Sequence, residues 1–150
     1  MIQGQKAKTV LLIAPKAVTA AEEVTGSVDT AGADYAELIV AVTPTTTTSG
    51  TTVVAFADSD DNTTFVTIVA NQTVTAGSSG ARGLVICQVE LRGKKRYLRV
   101  TATQNTTTNT TGALGAIARL SNLSQGPAST SDMIGVTVGG AAIPKVVVQV

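Results

Sequence analysis

Apolar and polar residues alternate along much of this chain. A period of two marks a half-buried β-strand, because successive side chains of an extended backbone point to opposite faces. "DYAELIVAVT", from Asp34, shows it best. Ala36, Leu38, Val40 and Val42 share one face, while Tyr35, Glu37 and Thr43 share the other with Ile39 and Ala41, so the even positions are assigned to the core. "KRYLRVTATQ" sets Leu98, Val100 and Ala102 against Tyr97, Arg99, Thr101 and Thr103, and "RGLVICQVEL" alternates through Val85, Cys87, Val89 and Leu91. The same reading predicts strands over 8–14, 24–29, 51–57, 63–70 and 113–121. Helical periodicity is scarce.

The segments between these runs, "DTAGAD", "PTTTTSG", "DSDDN", "AGSSGARG", "RGKK" and "QNTTTNTTG", have turn or loop compositions. Many short strands with such punctuation predict an all-β fold, a single β-sandwich or jelly-roll-like domain. The expected organisation is an N-terminal arm or strand over 1–14 and the sandwich over 15–123. A linker, "SQGPASTSD", follows over 124–132, and then a strand tail over 133–150. The threonine-rich segments 43–52 and 104–112 are expected at exposed tips. In the tail, Val146, Val148 and Val150 line one face of a last strand. A lone strand cannot satisfy its own edges. It either closes the parent sandwich or adds to a neighbouring subunit's sheet, and the linker slightly favours the neighbour.

Composition narrows the function classes. The 150 residues suit one domain able to bury a sizeable core. Only 14% are charged, against about 25% in ordinary soluble domains. Threonine fills much of that gap, giving a surface solvated by hydroxyls, which suits a protein packed into a larger assembly or one that is secreted. A net charge of +1 argues against nucleic acid as the main partner. Histidine and tryptophan are absent, and Cys87 is the single cysteine, which excludes an intrachain disulfide and a cysteine-based zinc site. Within a strand, Cys87 reads as a small buried hydrophobe rather than a reactive thiol. The opening "MIQGQKAKTVLLIAPKAVTA" imitates a signal peptide, but its apolar run over 10–14 is shorter than the roughly 7–15 residues required. It is read as a strand. Nothing approaches the ~20 apolar residues of a membrane span, so no membrane partner is expected.

Two charged turns are the candidate chemistry. In "FADSDDNTTFVTI", Asp58, Asp60 and Asn62 could occupy the first, third and fifth positions of an EF-hand loop. That loop needs Gly at its sixth position and Glu at its twelfth, where this chain has Thr63 and Val69. A glycosidase pair is disfavoured because its carboxylates face each other across a cleft. Asp58, Asp60 and Asp61 therefore read as a charged hairpin tip, which also discourages edge pairing. "LRGKKRYLRV" places Arg92, Lys94, Lys95 and Arg96 around Gly93. This basic turn is expected to face an acidic partner surface, and self-complementarity with the Asp58–Asp61 turn of another copy is a second physical option. Without histidine there is no nucleophile–histidine pair, and no GxGxxG or P-loop pattern occurs. No catalytic residue, metal site or cofactor is expected, and the chain is read as no enzyme. Sequons at Asn62, Asn71, Asn105, Asn109 and Asn122 follow from the threonine content and are discounted.

"VDTAGADYAELIVAV", "VVAFADSDDNTTFVTI", "VELRGKKRYLRVTATQN" and "ALGAIARLSN", spread over 18–123, together resemble small structural proteins of tailed-phage head-gene clusters, including capsid decoration or cement proteins. The resemblance implies a non-enzymatic virion protein on the capsid surface, assembled in the host cytoplasm. It also implies the major capsid protein as partner and a homo-oligomer, with a trimer favoured. The arm 1–14 and the tail 133–150 are then candidate contacts, along with the two charged turns. "SDDNTTFVTI" and "KRYLRV" also resemble the galactose-binding, discoidin-like sandwich. This chain has Asn62 and Phe65 where that family usually has glycine and tryptophan. A carbohydrate-binding adhesin module and a tail or neck component are the alternatives.

Overall fold

Every long alternating run becomes a strand, and the parity of its apolar residues decides which face turns inward. The structure, a computed structural model, describes residues 7–19, 21–43, 50–75, 83–105, 112–122, 137–138, 141–142 and 145–149. The strands are β1 (Ala7–Val18), β2 (Glu23–Asp29), β3 (Tyr35–Thr43), β4 (Thr51–Ser59), β5 (Val66–Thr75), β6 (Gly83–Glu90), β7 (Tyr97–Asn105) and β8 (Gly112–Ser121). Two short strands, β9 (Thr137–Val138) and β10 (Ala141–Ala142), pair with each other, and β11 (Lys145–Gln149) is last.

The pairings nest. β1 pairs with β8, β2 with β7, β3 with β6 and β4 with β5, all antiparallel. A single long hairpin with its tip between β4 and β5 would contain the same four pairs. Rolling that hairpin adds the lateral pairs β3–β8 and β4–β7. Two sheets result, ordered β1-β8-β3-β6-β11 and β2-β7-β4-β5. This is the all-β, jelly-roll-like sandwich expected from the sequence.

The inner faces interdigitate. Ala36, Leu38, Val40 and Val42 are buried as the alternation predicts, with Val85, Cys87 and Val89 beside them on β6 and Leu114, Ala116, Ala118 and Leu120 on β8. Val54, Phe56, Leu98, Val100 and Ala102 pack from the facing sheet. Cys87 is fully buried, and burial pushes its thiol pKa up to about 12. A side chain this withdrawn behaves as a hydrophobe.

Two strand boundaries differ from the sequence reading, and the tail takes one of its two alternatives. β1 runs through Pro15, so residues 7–14 are part of a sheet edge continuous with residues assigned to the domain. Proline is accommodated because β1 is an edge strand and its register shifts between Leu11 and Ile13 and again between Ile13 and Lys16. β4 continues to Ser59 and β5 begins at Val66, which moves the hairpin tip to 60–65. The last strand pairs in parallel with β6 of its own chain, Lys145 opposite Leu84 through Gln149 opposite Gln88. Of the two alternatives for the tail, this chain by itself adopts closure of the parent sheet. Val146 and Val148 lie on β11. Residues 1–6, the linker 124–132, Val150 and most of the two threonine-rich segments lie outside the described residues.

Candidate contact surfaces: the charged end and the outer sheet face

Three connections converge at one end of the β2-β7-β4-β5 sheet: residues 30–34, 60–65 and 91–96. β7 holds them in register, with Tyr97 opposite both Asp29 on β2 and Ser59 on β4. In the acidic turn the side chains do unlike jobs. Asp58 has the inward parity of Val54 and Phe56 and is only 6% exposed. Its Oδ2 accepts the Lys95 backbone N–H at 3.4 Å. Asp61 organises the tip: its Oδ1 accepts from the Ser59 hydroxyl at 2.7 Å and from the N–H groups of Thr63 and Thr64 at 2.9 and 2.8 Å. Hydrogen bonding, that of the Thr63 side chain foremost, holds the Asp61 carboxyl well below the usual carboxylate range. Asn62 sits at φ 59°, a left-handed conformation that asparagine tolerates better than most residues.

The basic turn closes with the Lys94 N–H donating to the Leu91 carbonyl at 3.1 Å, and Gly93 takes φ 78°. Glycine meets no Cβ penalty there. Arg96 grips Asp29 with two bonds, Nε to Oδ1 at 3.0 Å and Nη2 to Oδ2 at 2.7 Å. The Arg96 hydrogen bond, reinforced by the Ala31 N–H, lowers the Asp29 pKa to about 2. Thr30 ties the same strand down, its hydroxyl and N–H both donating to the Arg96 carbonyl, at 2.6 and 2.9 Å. Lys95 reaches Asp60 at 3.6 Å, an exposed and therefore weak ion pair.

The acidic and basic turns thus meet within one chain. Arg96 takes Asp29, an acid not singled out in the sequence, and Lys95 takes Asp58 through its backbone and Asp60 through its side chain. Arg92 and Lys94 have no acidic partner among the described residues. The two discoidin-like phrases also come together: the Arg99 guanidinium lies 4.1 Å from the centroid of the Phe65 ring. The signal for Asp29 was its place at the end of a predicted strand, but its partner could be found only through the β2–β7 register. No group of three or more metal-ligating side chains occurs among the described residues.

The outer face of the β1-β8-β3-β6-β11 sheet carries the other surface. Leu11, Ile117, Ile39 and Ile86 stand in one transverse row. Beside it runs a polar row of Thr9, Arg119, Glu37 and Gln88. Ile86 is buried at 8% exposure, whereas Leu11, at the β1 edge, is 59% exposed. Small residues at Ala41, Ala113 and Gly115 open a groove of about 470 Å³ between Pro15 and Leu84 on this side.

Strand order and packing define an all-β sandwich of two sheets. No protein-family model matches the chain, and no curated protein matches it in sequence. Among solved structures, the fold is similar to a chain of the T13 particle of IBDV, with a TM-score of 0.54 at 10% identity, covering 77% of this chain and 31% of that one. It is also similar to infectious bursal disease virus Gx strain, with a TM-score of 0.52 at 9% identity, covering 82% and 34%. The exported protein XepA of PBSX gives a TM-score of 0.52 at 16% identity, covering 89% and 43%. This chain spans less than half the length of each. At such identities the common property is the fold.

Proposed function

We propose that this chain is a non-enzymatic structural protein of a virus particle, and more finely a capsid decoration or cement protein. In this reading it binds the outer capsid surface and clamps adjacent major capsid subunits, as a homo-oligomer with a trimer favoured. The observation that carries the reading is the rolled-hairpin strand order, a frequent architecture of capsid domains, together with its likeness to a viral-particle protein. The surfaces support it. A rigid sandwich supplies the footprint, and the exposed Leu11 with Ile117 and Ile39 supplies apolar contact area at the β1 edge. Individually weak contacts gain from the effective concentration that a lattice provides.

The carbohydrate-binding alternative needs an open aromatic ring for a sugar to stack on. Phe56 is in the core, Phe65 lies under Arg99 and Tyr97 lies under Arg96. Tyr35 is half-buried with an enclosed hydroxyl. This arrangement favours protein contact over sugar stacking. The deciding experiment mixes purified protein with expanded capsids that lack it. Co-sedimentation and longer survival on heating are expected. Absence of both would overturn the proposal, a positive glycan array would favour the adhesin module, and labelling at the tail would favour a tail or neck component.

A further inference from the structure

The eight strands β1 to β8 complete the rolled hairpin by themselves. β11 is an addition to it, the only strand paired in parallel among the described residues, and it covers the edge of β6 that the roll leaves open. We propose that this edge is an acceptor site for the last strand of a second copy, so that neighbouring molecules are linked by exchange of β11.

The connection makes the exchange feasible. β8 and β11 run in the same direction, with β3 and β6 between them. Ser121, where β8 ends, is level with Glu90, and Lys145, where β11 begins, is level with Leu84. At ordinary strand spacing and rise, these ends are on the order of 25 Å apart. The intervening residues 122–144 include the β9–β10 hairpin, and the fifteen residues ahead of it, 122–136, can by themselves span on the order of 50 Å. Such a tether closes in cis and equally reaches the β6 edge of an adjoining molecule, because loop-closure entropy changes slowly with span.

The site also lacks a means of choosing its own strand. The β11–β6 pairing is a backbone ladder, which any copy of the same strand forms equally well. The choice between cis and trans is then set by concentration. A tether of this length offers an effective concentration on the order of millimolar. In dilute solution a copy therefore closes on itself, and in a packed array a neighbour competes on equal terms. Exchange in one rotational sense closes a ring, and this gives a homo-oligomer a physical basis independent of any capsid.

Cys87 makes the idea testable, since it is the single cysteine and stands opposite Val148 in the β6–β11 register. Backbones of paired strands lie ~5 Å apart, within reach of a disulfide. A Cys87→Ala, Val148→Cys chain carries only the donor thiol, and the wild-type chain carries only the acceptor. The two are refolded together in a thiol–disulfide buffer, with one of them tagged. A disulfide-linked heterodimer is expected, at a yield that falls about tenfold for each tenfold dilution from millimolar. The single variant Val148→Cys shows whether the register forms in cis. Intrachain crosslinking there without heterodimer at any concentration would overturn exchange. If a crosslink between positions 87 and 148 impairs folding, Leu84→Cys and Lys145→Cys, divided between two Cys87→Ala chains, replace it with the same two outcomes. No capsid is present, so failure here is distinct from failure of the decoration reading.

Discussion

Asn62 and Asp61 share the task of reversing the chain between β4 and β5. Asp61 binds the amides ahead of it, and Asn62 bears the left-handed backbone. Asn62→Ala should destabilise the fold by about 1 kcal/mol, since a Cβ without a local hydrogen-bonding group is strained there, whereas Asn62→Gly should be nearly neutral. Chemical denaturation of both variants checks this. Asp29 gives a pH signature. Its folded pKa of about 2 lies below its ordinary 3.8, so its pairing with Arg96 adds stability above about pH 4, and that contribution is lost as pH falls towards 2. The stability gap between wild type and Asp29→Asn should therefore be open at neutral pH and close below about pH 2. A gap of constant size down to pH 2 would refute the pairing as its source.

At the scale of elements, β1 passes β2 at close range although the two strands belong to different sheets. A Cβ on Gly26 would collide with the Leu12 carbonyl oxygen and stand 3.0 Å from the Ile13 side chain. Backbone does not yield as a side chain does, so glycine is needed here for proximity. Gly26→Ala should cost about 2 kcal/mol, seen as a lower thermal midpoint, and the β1–β8 register should be the first to loosen in amide exchange. β1 accepts this crowding and Pro15 together because its two register shifts break the ladder at an edge.

For the molecule as a whole, the outer face of the β1-β8-β3-β6-β11 sheet is the surface on which the decoration reading depends. Leu11 is 59% exposed and contributes little to the core. Leu11→Asp should leave the thermal midpoint within a degree or two of wild type yet weaken capsid binding by about tenfold, the loss of one apolar contact of roughly 1.4 kcal/mol. Titration against capsids, with the melting curve as control, separates the two effects. Unchanged affinity would move the footprint away from the β1 edge.

The sequence by itself determined the class of the fold and which residues are core, because period-two burial is written locally at positions such as Leu38, Val40, Leu98 and Val100. It also set the turns, since Asp, Asn and Gly act through their own backbone. Tertiary structure alone decided what those turns meet. The Arg96–Asp29 pair and the Phe65–Arg99 stack join residues far apart in the chain, and only the β2–β7 and β4–β7 registers bring them into contact. Asp58 looked like part of an exposed acidic tip because its neighbours are polar, yet the length of β4 carries it inside. The acceptor of the last strand was equally hidden: no local pattern shows which edge a rolled hairpin leaves open, because that edge exists only once both sheets have formed.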